Sequence, residues 1–234
     1  MAMPRFLSQL DFEQLKLPIG FLKPLEFLFV LVAYTAFSAW KFDFTVTCHG
    51  QVHRHNYEIT SFALDDIEFR NCNDTGMQFF ETGYHGEGSF FILTSYMSIA
   101  FTVGMLFLYM YRWDLYAAEP KWPHYDCYAT IVASTLWFVN FVMWWYCSGG
   151  LIDLTSPESV AKRNEELQFC VAADECELKT YAMYAPVRVA VVAALGNCIL
   201  FMYNIWIVYK ETSWFHDHEM RRQPHNLESP YSLN

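Results

Sequence analysis

The sequence predicts an all-α membrane fold: a four-transmembrane-helix bundle with two disulfide-closed lumenal loops and some β structure in the first. Three observations carry that expectation. Val187–Tyr209 (VRVAVVAALGNCILFMYNIWIVY) is apolar nearly throughout, has Arg188 as its one charge, and stops at Lys210-Glu211. Three further apolar runs follow the same rule. Charged residues make up only 17% of the 234, against about 25% in an average soluble domain. At ~1.5 Å per residue, a helix the length of Val187–Tyr209 covers the ~30 Å hydrocarbon layer of a bilayer. In lipid only helices and closed barrels satisfy their own backbone groups, and none of these runs alternates at period two.

The elements follow in order. Residues 1–23 read as a cytosolic lead in which no cleavable signal is seen, so the first span is expected to direct insertion. That span is placed at about 24–40, with Pro24 at the first helical position, where a missing N–H costs nothing. Glu26, one turn inside, is expected to reach the interface and pair with a neighbour such as Lys23. A polar loop, 41–88, shows strand-like alternation around Tyr57–Phe62. The second and third spans, about 89–111 and 128–147, are joined by a short link and form an antiparallel hairpin. Ser148-Gly149-Gly150 is expected to end the third. A second polar loop, 148–186, leads to the fourth span at 187–209, and 210–234 forms a short cytosolic tail.

An even number of spans puts both termini on one side. Lys and Arg are denser in the lead, the link and the tail than in the two long loops, which favours cytosolic termini. Cysteines and a glycosylation sequon point the same way. Cys48 and Cys72 lie in the first loop, Cys170 and Cys176 in the second. Chain order alone allows other pairings, but one pair within each loop is the least demanding geometrically and suits an oxidising lumen. Asn73-Asp74-Thr75 is an N-x-T sequon directly after Cys72, and an N-glycan is expected on Asn73.

Asn197 and Asn204 sit one heptad apart on the fourth span and share a face. Ala190, Ala194 and Cys198 form a small-residue stripe beside them, and Thr94, Ser98 and Thr102 form another on the second span. An amide in hydrocarbon is costly unless paired across helices, so these faces are expected to pack helices or to receive a partner's helix. His49, His53, His55 and His85 cluster in the first loop, without a carboxylate or cysteine at matching spacing, and read as solvated rather than metal-binding. No G-x-S-x-G, H-E-x-x-H, P-loop or dinucleotide fingerprint occurs. No enzyme activity, metal or cofactor is expected. The net charge of −10 argues against nucleic acid.

Two stretches carry a family resemblance. Pro18-Ile19-Gly20-Phe21-Leu22-Lys23 is similar to the P-L-G-F-x-K opening of the synaptophysin family, within the MARVEL-type four-span proteins. Asn197 and, seven on, Asn204-Ile205-Trp206-Ile207-Val208-Tyr209-Lys210-Glu211-Thr212 resemble that family's N-x(6)-N-x-W-F-V-[FY]-K-E-T. The cysteine pairs fit as well. The resemblance implies a multi-pass protein of synaptic or other secretory vesicles that binds the vesicle SNARE synaptobrevin. It also implies sensitivity to membrane cholesterol and assembly into homo-oligomers. Two departures matter. The family's long Gly/Tyr/Pro/Gln-rich tail has no counterpart up to Asn234, which puts tail-dependent endocytic sorting in doubt. Met143–Ser148 replaces a serine-rich stretch at the end of the third span. The competing expectation is an oligomeric channel or transporter, for which the spans offer few polar lining residues beyond Glu26, Asn140, Asn197, Asn204 and Arg188. The missing W-x-x-L-W and Cys-Cys-Gly motifs argue against a claudin- or tetraspanin-type contact protein.

Overall fold

Ile19, Leu22, Lys23, Glu26, Val30, Ala33 and Phe37 recur at helical spacing and are all buried. They lie along one face of α1 (Pro18–Ser38) in a computed structural model that describes residues 12–48, 53–170, 176–215 and 217. Pro18, rather than Pro24, opens the helix. Pro24 lies inside it and removes one backbone hydrogen bond, a cost the buried face outweighs. The next elements are β1 (Phe42–Cys48), β2 (His53–Ile59), β3 (Glu68–Arg70), β4 (Gly76–Gln78) and α2 (His85–Tyr111). A short α3 (Trp113–Ala118) and a long α4 (Lys121–Leu154) follow, then α5 (Pro157–Leu167), β5 (Cys176–Ala182) and α6 (Ala185–Glu211). Helices α1, α2, α4 and α6 are each long and apolar enough to cross a membrane.

The boundaries depart from sequence expectation in three places, each for a local reason. Helix α4 begins at Lys121, because Pro123 falls in its first turn, where the absent N–H has no partner to lose. It then runs through Gly149-Gly150 to Leu154, where a break was expected. Cys147 and Leu151, one turn apart, are both buried. Burying a leucine is worth about 2 kcal/mol, and with the buried cysteine this offsets the ~1 kcal/mol that each of the two helical glycines costs. The second polar loop is not simply a loop. Ser156 caps α5 by accepting a hydrogen bond from the Ser159 N–H at 3.2 Å, Pro157 takes the first position, and Gln168 closes the helix in the left-handed region at φ 50°.

The chain divides into two compact units. The first comprises Val30–Tyr96 with Phe138–Leu195, and the second Met1–Phe29, Met97–Trp137 and Gly196–Asn234.

The first unit carries an antiparallel sheet of order β2-β1-β5, so the second loop supplies a strand to the sheet begun by the first. Val46 pairs with His55 on one side and Leu178 on the other. Phe42, Phe44 and Val46 alternate along β1 onto one buried face. That face closes over rings. Phe44 meets Phe69 at 4.4 Å, Phe79 at 5.0 Å and Phe169 at 6.2 Å between centroids. A second aromatic group forms around Phe37, which stacks on Phe91 at 4.5 Å and meets Trp144 at 4.8 Å. Both expected disulfides are present, Cys48–Cys72 and Cys170–Cys176. Cys48 and Cys176 face each other in register across β1 and β5, so the two bridges staple neighbouring points of one sheet.

Asn73 lies exposed in the turn between β3 and β4. Asn71 Oδ1 orders that turn, accepting from the Asn73 and Thr75 N–H groups at 3.0 Å each.

Candidate functional site

In the second unit, α1 places Lys23 and Glu26 three residues apart, hence on one face. Helix α4 adds Asp126 and, one turn on, Thr130, while α6 adds Asn204. The Lys23 ammonium lies 3.3 Å from Glu26 Oε2 and 3.4 Å from Asp126 Oδ1, so it bridges two carboxylates. Exposure is 0% for Lys23 and Glu26, 1% for Asp126 and 0% for Asn204. These are charges inside an apolar bundle, where each unpaired ion costs several kcal/mol.

Hydrogen bonds distribute unevenly over the two acids. The hydroxyls of Tyr109 (α2) and Tyr116 (α3) both donate to Asp126 Oδ2, the latter at 3.3 Å, and Thr130 donates to Oδ1 at 3.3 Å. Burial and the neighbouring Asp126 charge hold the Tyr116 phenol well above its usual range, so it stays a donor. Glu26 Oε1 accepts from Asn204 Nδ2 at 2.7 Å, while Glu26 Oε2 and Asn204 Oδ1 receive no hydrogen bond. Phe101 of α2 completes the enclosure, its ring centroid 4.3 Å from Lys23 Nζ. An apolar layer of Ile19, Tyr109, Tyr116, Cys127 and Val208 adjoins the cluster.

In the same unit, Gly196 of α6 lies against the ring of Phe29 of α1. A Cβ there would stand 2.8 Å from the Phe29 ring, so its absence lets α6 approach α1 closely. One residue along, Asn197 is buried with neither amide atom hydrogen-bonded. Ser98 accepts the indole N–H of Trp137 at 2.8 Å.

The expected Glu26–Lys23 pair is therefore formed, but both partners are buried instead of reaching an interface. Asp126 escaped sequence reasoning, which assigned it to a link, and Lys23, although expected as a partner of Glu26, was assigned to the lead rather than to a span. A proline in a first helical turn is no barrier, and that rule places Asp126 inside α4. Asn197, Asn204, Ala190 and Ala194 are all buried within the chain itself, as are Thr94, Ser98 and Thr102. Asn140 of α4 is buried in the first unit with both amide atoms unpaired. Of the loop histidines, His49 and the side chain of His53 lie outside the described residues. His55 is half-buried on β2 and His85 exposed at the start of α2. Among the described residues, no three His, Cys, Asp or Glu side chains gather in a way that could hold a metal ion.

The profile of MARVEL, a membrane-associating domain, matches residues 14–207. This chain belongs to the MARVEL family. The MARVEL match takes in Lys23, Glu26, Asp126 and Asn204 alike, and with four long apolar helices it makes the protein a membrane-associated, multi-pass one.

Proposed function

We propose that this MARVEL-family protein is a non-enzymatic component of synaptic or other secretory vesicles that binds the vesicle SNARE synaptobrevin. In this reading both termini are cytosolic, the disulfide-bonded loops are lumenal, and Asn73 carries a glycan. The protein self-associates and organises cholesterol-containing membrane and cargo during exocytosis and endocytosis. One observation supports it above others: the two stretches that resemble the synaptophysin family are bound to each other. Lys23 ends the first, Asn204 belongs to the second, and Glu26 links them, 3.3 Å from Lys23 and 2.7 Å from the Asn204 amide. Ala190, Ala194, Asn197 and Asn204 are buried in this chain, so in this reading the partner's helix would meet the exposed apolar residues Ile199, Met202 and Tyr203 of α6 instead.

The test is affinity purification from native membranes, with vesicle markers followed in parallel. Synaptobrevin should co-purify with the wild-type protein and fall several-fold with Ile199→Ala plus Met202→Ala. Its absence from the wild-type eluate, while other vesicle markers are retained, would overturn the reading.

A second reading, an oligomeric channel or transporter, is favoured by the buried charges and by the unpaired Asn197 amide. Reproducible, ion-selective conductance from reconstituted protein would put it in first place.

A further inference from the structure

The charges of the buried cluster do not cancel. Lys23 brings one positive charge, and Glu26 and Asp126 together bring two negative ones. A net negative charge enclosed at 0–1% exposure is strongly disfavoured. Donor and acceptor matching leads to the same place by a separate route. Asp126 is satisfied as an anion: Tyr109, Tyr116 and Thr130 donate to it and the Lys23 ammonium adjoins it. Glu26 receives less: Oε1 accepts from Asn204 Nδ2, Oε2 has only the Lys23 ammonium beside it at 3.3 Å, and the adjoining Asn204 Oδ1 is an enclosed acceptor without a donor. The cluster lacks one positive charge, and beside Glu26 the Asn204 Oδ1 acceptor lacks a hydrogen-bond donor.

We propose that this cluster is a proton-binding site inside the membrane domain, with one exchangeable proton held on the Glu26 carboxyl. Hydronium delivers the proton: one of its O–H bonds breaks as an O–H bond forms at Glu26, water leaves, and no group is oxidised or reduced. A bound water would supply the donor but leave the charge. A sodium or potassium ion would supply the charge but would have to sit against the Lys23 ammonium, which already stands between the two carboxylates. A proton supplies both. The groups around Glu26 are Lys23 on its own helix, Asn204 on α6, and Asp126 on α4 with its donors Tyr109 (α2) and Tyr116 (α3). Loading and release of the proton switch the cluster between neutral and singly negative, and with it the attraction holding α1, α4 and α6 together in this unit.

Infrared difference spectroscopy on the full-length protein in lipid nanodiscs tests the site. At neutral pH the wild type should show the C=O stretch of a buried protonated carboxyl that shifts in heavy water. Glu26→Gln should abolish the band and Glu26→Asp should keep it, whereas Asp126→Asn, which leaves Lys23 and an ionised Glu26 as a neutral pair, should weaken it. Glu26→Gln, which copies the protonated side chain, should also unfold at no lower temperature than the wild type. Four results would overturn the proposal: no such band in the wild type, loss of the band with Asp126→Asn but not Glu26→Gln, disappearance of the band on adding sodium or potassium ions, or a fall in Tm for Glu26→Gln. The Glu26→Asp and Glu26→Gln pair decides the matter even where Asp126→Asn does not fold.

Discussion

Replacing Phe44 by alanine removes the ring on which the sheet's inner face closes. The side chain is fully buried, with the rings of Phe69, Phe79 and Phe169 at 4.4, 5.0 and 6.2 Å. A core Phe→Ala change costs about 3–5 kcal/mol through lost transfer energy and the cavity left behind. With several well-oriented ring pairs, each contributing about 0.5–1.5 kcal/mol beyond area, Phe44 belongs at the upper end, about 4–5 kcal/mol. Phe44→Leu keeps most of the volume and should cost about 1.5 kcal/mol or less. For units of this size, 4–5 kcal/mol corresponds to a fall in Tm of roughly 10–20 °C. The assay is thermal unfolding of detergent-purified protein, read by loss of protease resistance in the Lys41–Gly88 segment. Should alanine cost no more than leucine, the aromatic cluster does not hold the sheet, and the reasoning fails.

Three further outcomes follow from the same geometry. Cys48→Ser opens a bridge of sequence separation 24 and Cys170→Ser one of separation 6, so thermal unfolding should show losses of roughly 3.5 and 2.4 kcal/mol in that order. A reversed order would point to strain or residual structure rather than chain entropy. Lys41, hydrogen-bonded to Glu58, holds that exposed carboxyl below its usual range, and Glu58 in turn raises Lys41. The stabilisation from Glu58 is thus present above the ordinary carboxylate range and lost as pH falls through the lowered value. That from Lys41 is present below its ordinary range and lost as pH rises through the raised value. The small Tm advantage of wild type over Lys41→Met should therefore disappear in strong acid and in strong base. Trp137→Phe deletes the donor to Ser98 and should cost about 1 kcal/mol, with Ser98→Ala adding little on top in a double-mutant cycle.

The spans were legible because lipid leaves the backbone few options. The run Val187–Tyr209 foretold α6, observed as Ala185–Glu211, to within two residues at each end. Cysteine partition likewise foretold both disulfides, since each pair lies close along the chain. Strand β5 was hidden for a different reason. Its residues, CELKTYA, form a short run inside a polar loop, and their partner β1 lies across a long sequence interval in the first loop. Helix α5 carried its signal openly in Ser156-Pro157, a cap followed by a favoured first residue, yet its polar composition read as loop. The buried cluster was half visible. Glu26 and Lys23 were paired on spacing alone, but Asp126 arrives from another helix, and the tyrosines that hold it share no local pattern with it. Contacts set by tertiary packing leave no periodic trace.

Helices α1, α2, α4 and α6 are each long and apolar enough to cross the bilayer, and the proposed function sets the disulfide-bonded loops on the lumenal side and the termini on the cytosolic side. The most direct measurement is protease accessibility in sealed, native vesicles, with the tail and the segment between Cys48 and Cys72 probed separately. Cleavage of the tail, with the Cys48–Cys72 segment spared until detergent is added, is the predicted result. Cleavage of that segment in intact vesicles would contradict the account.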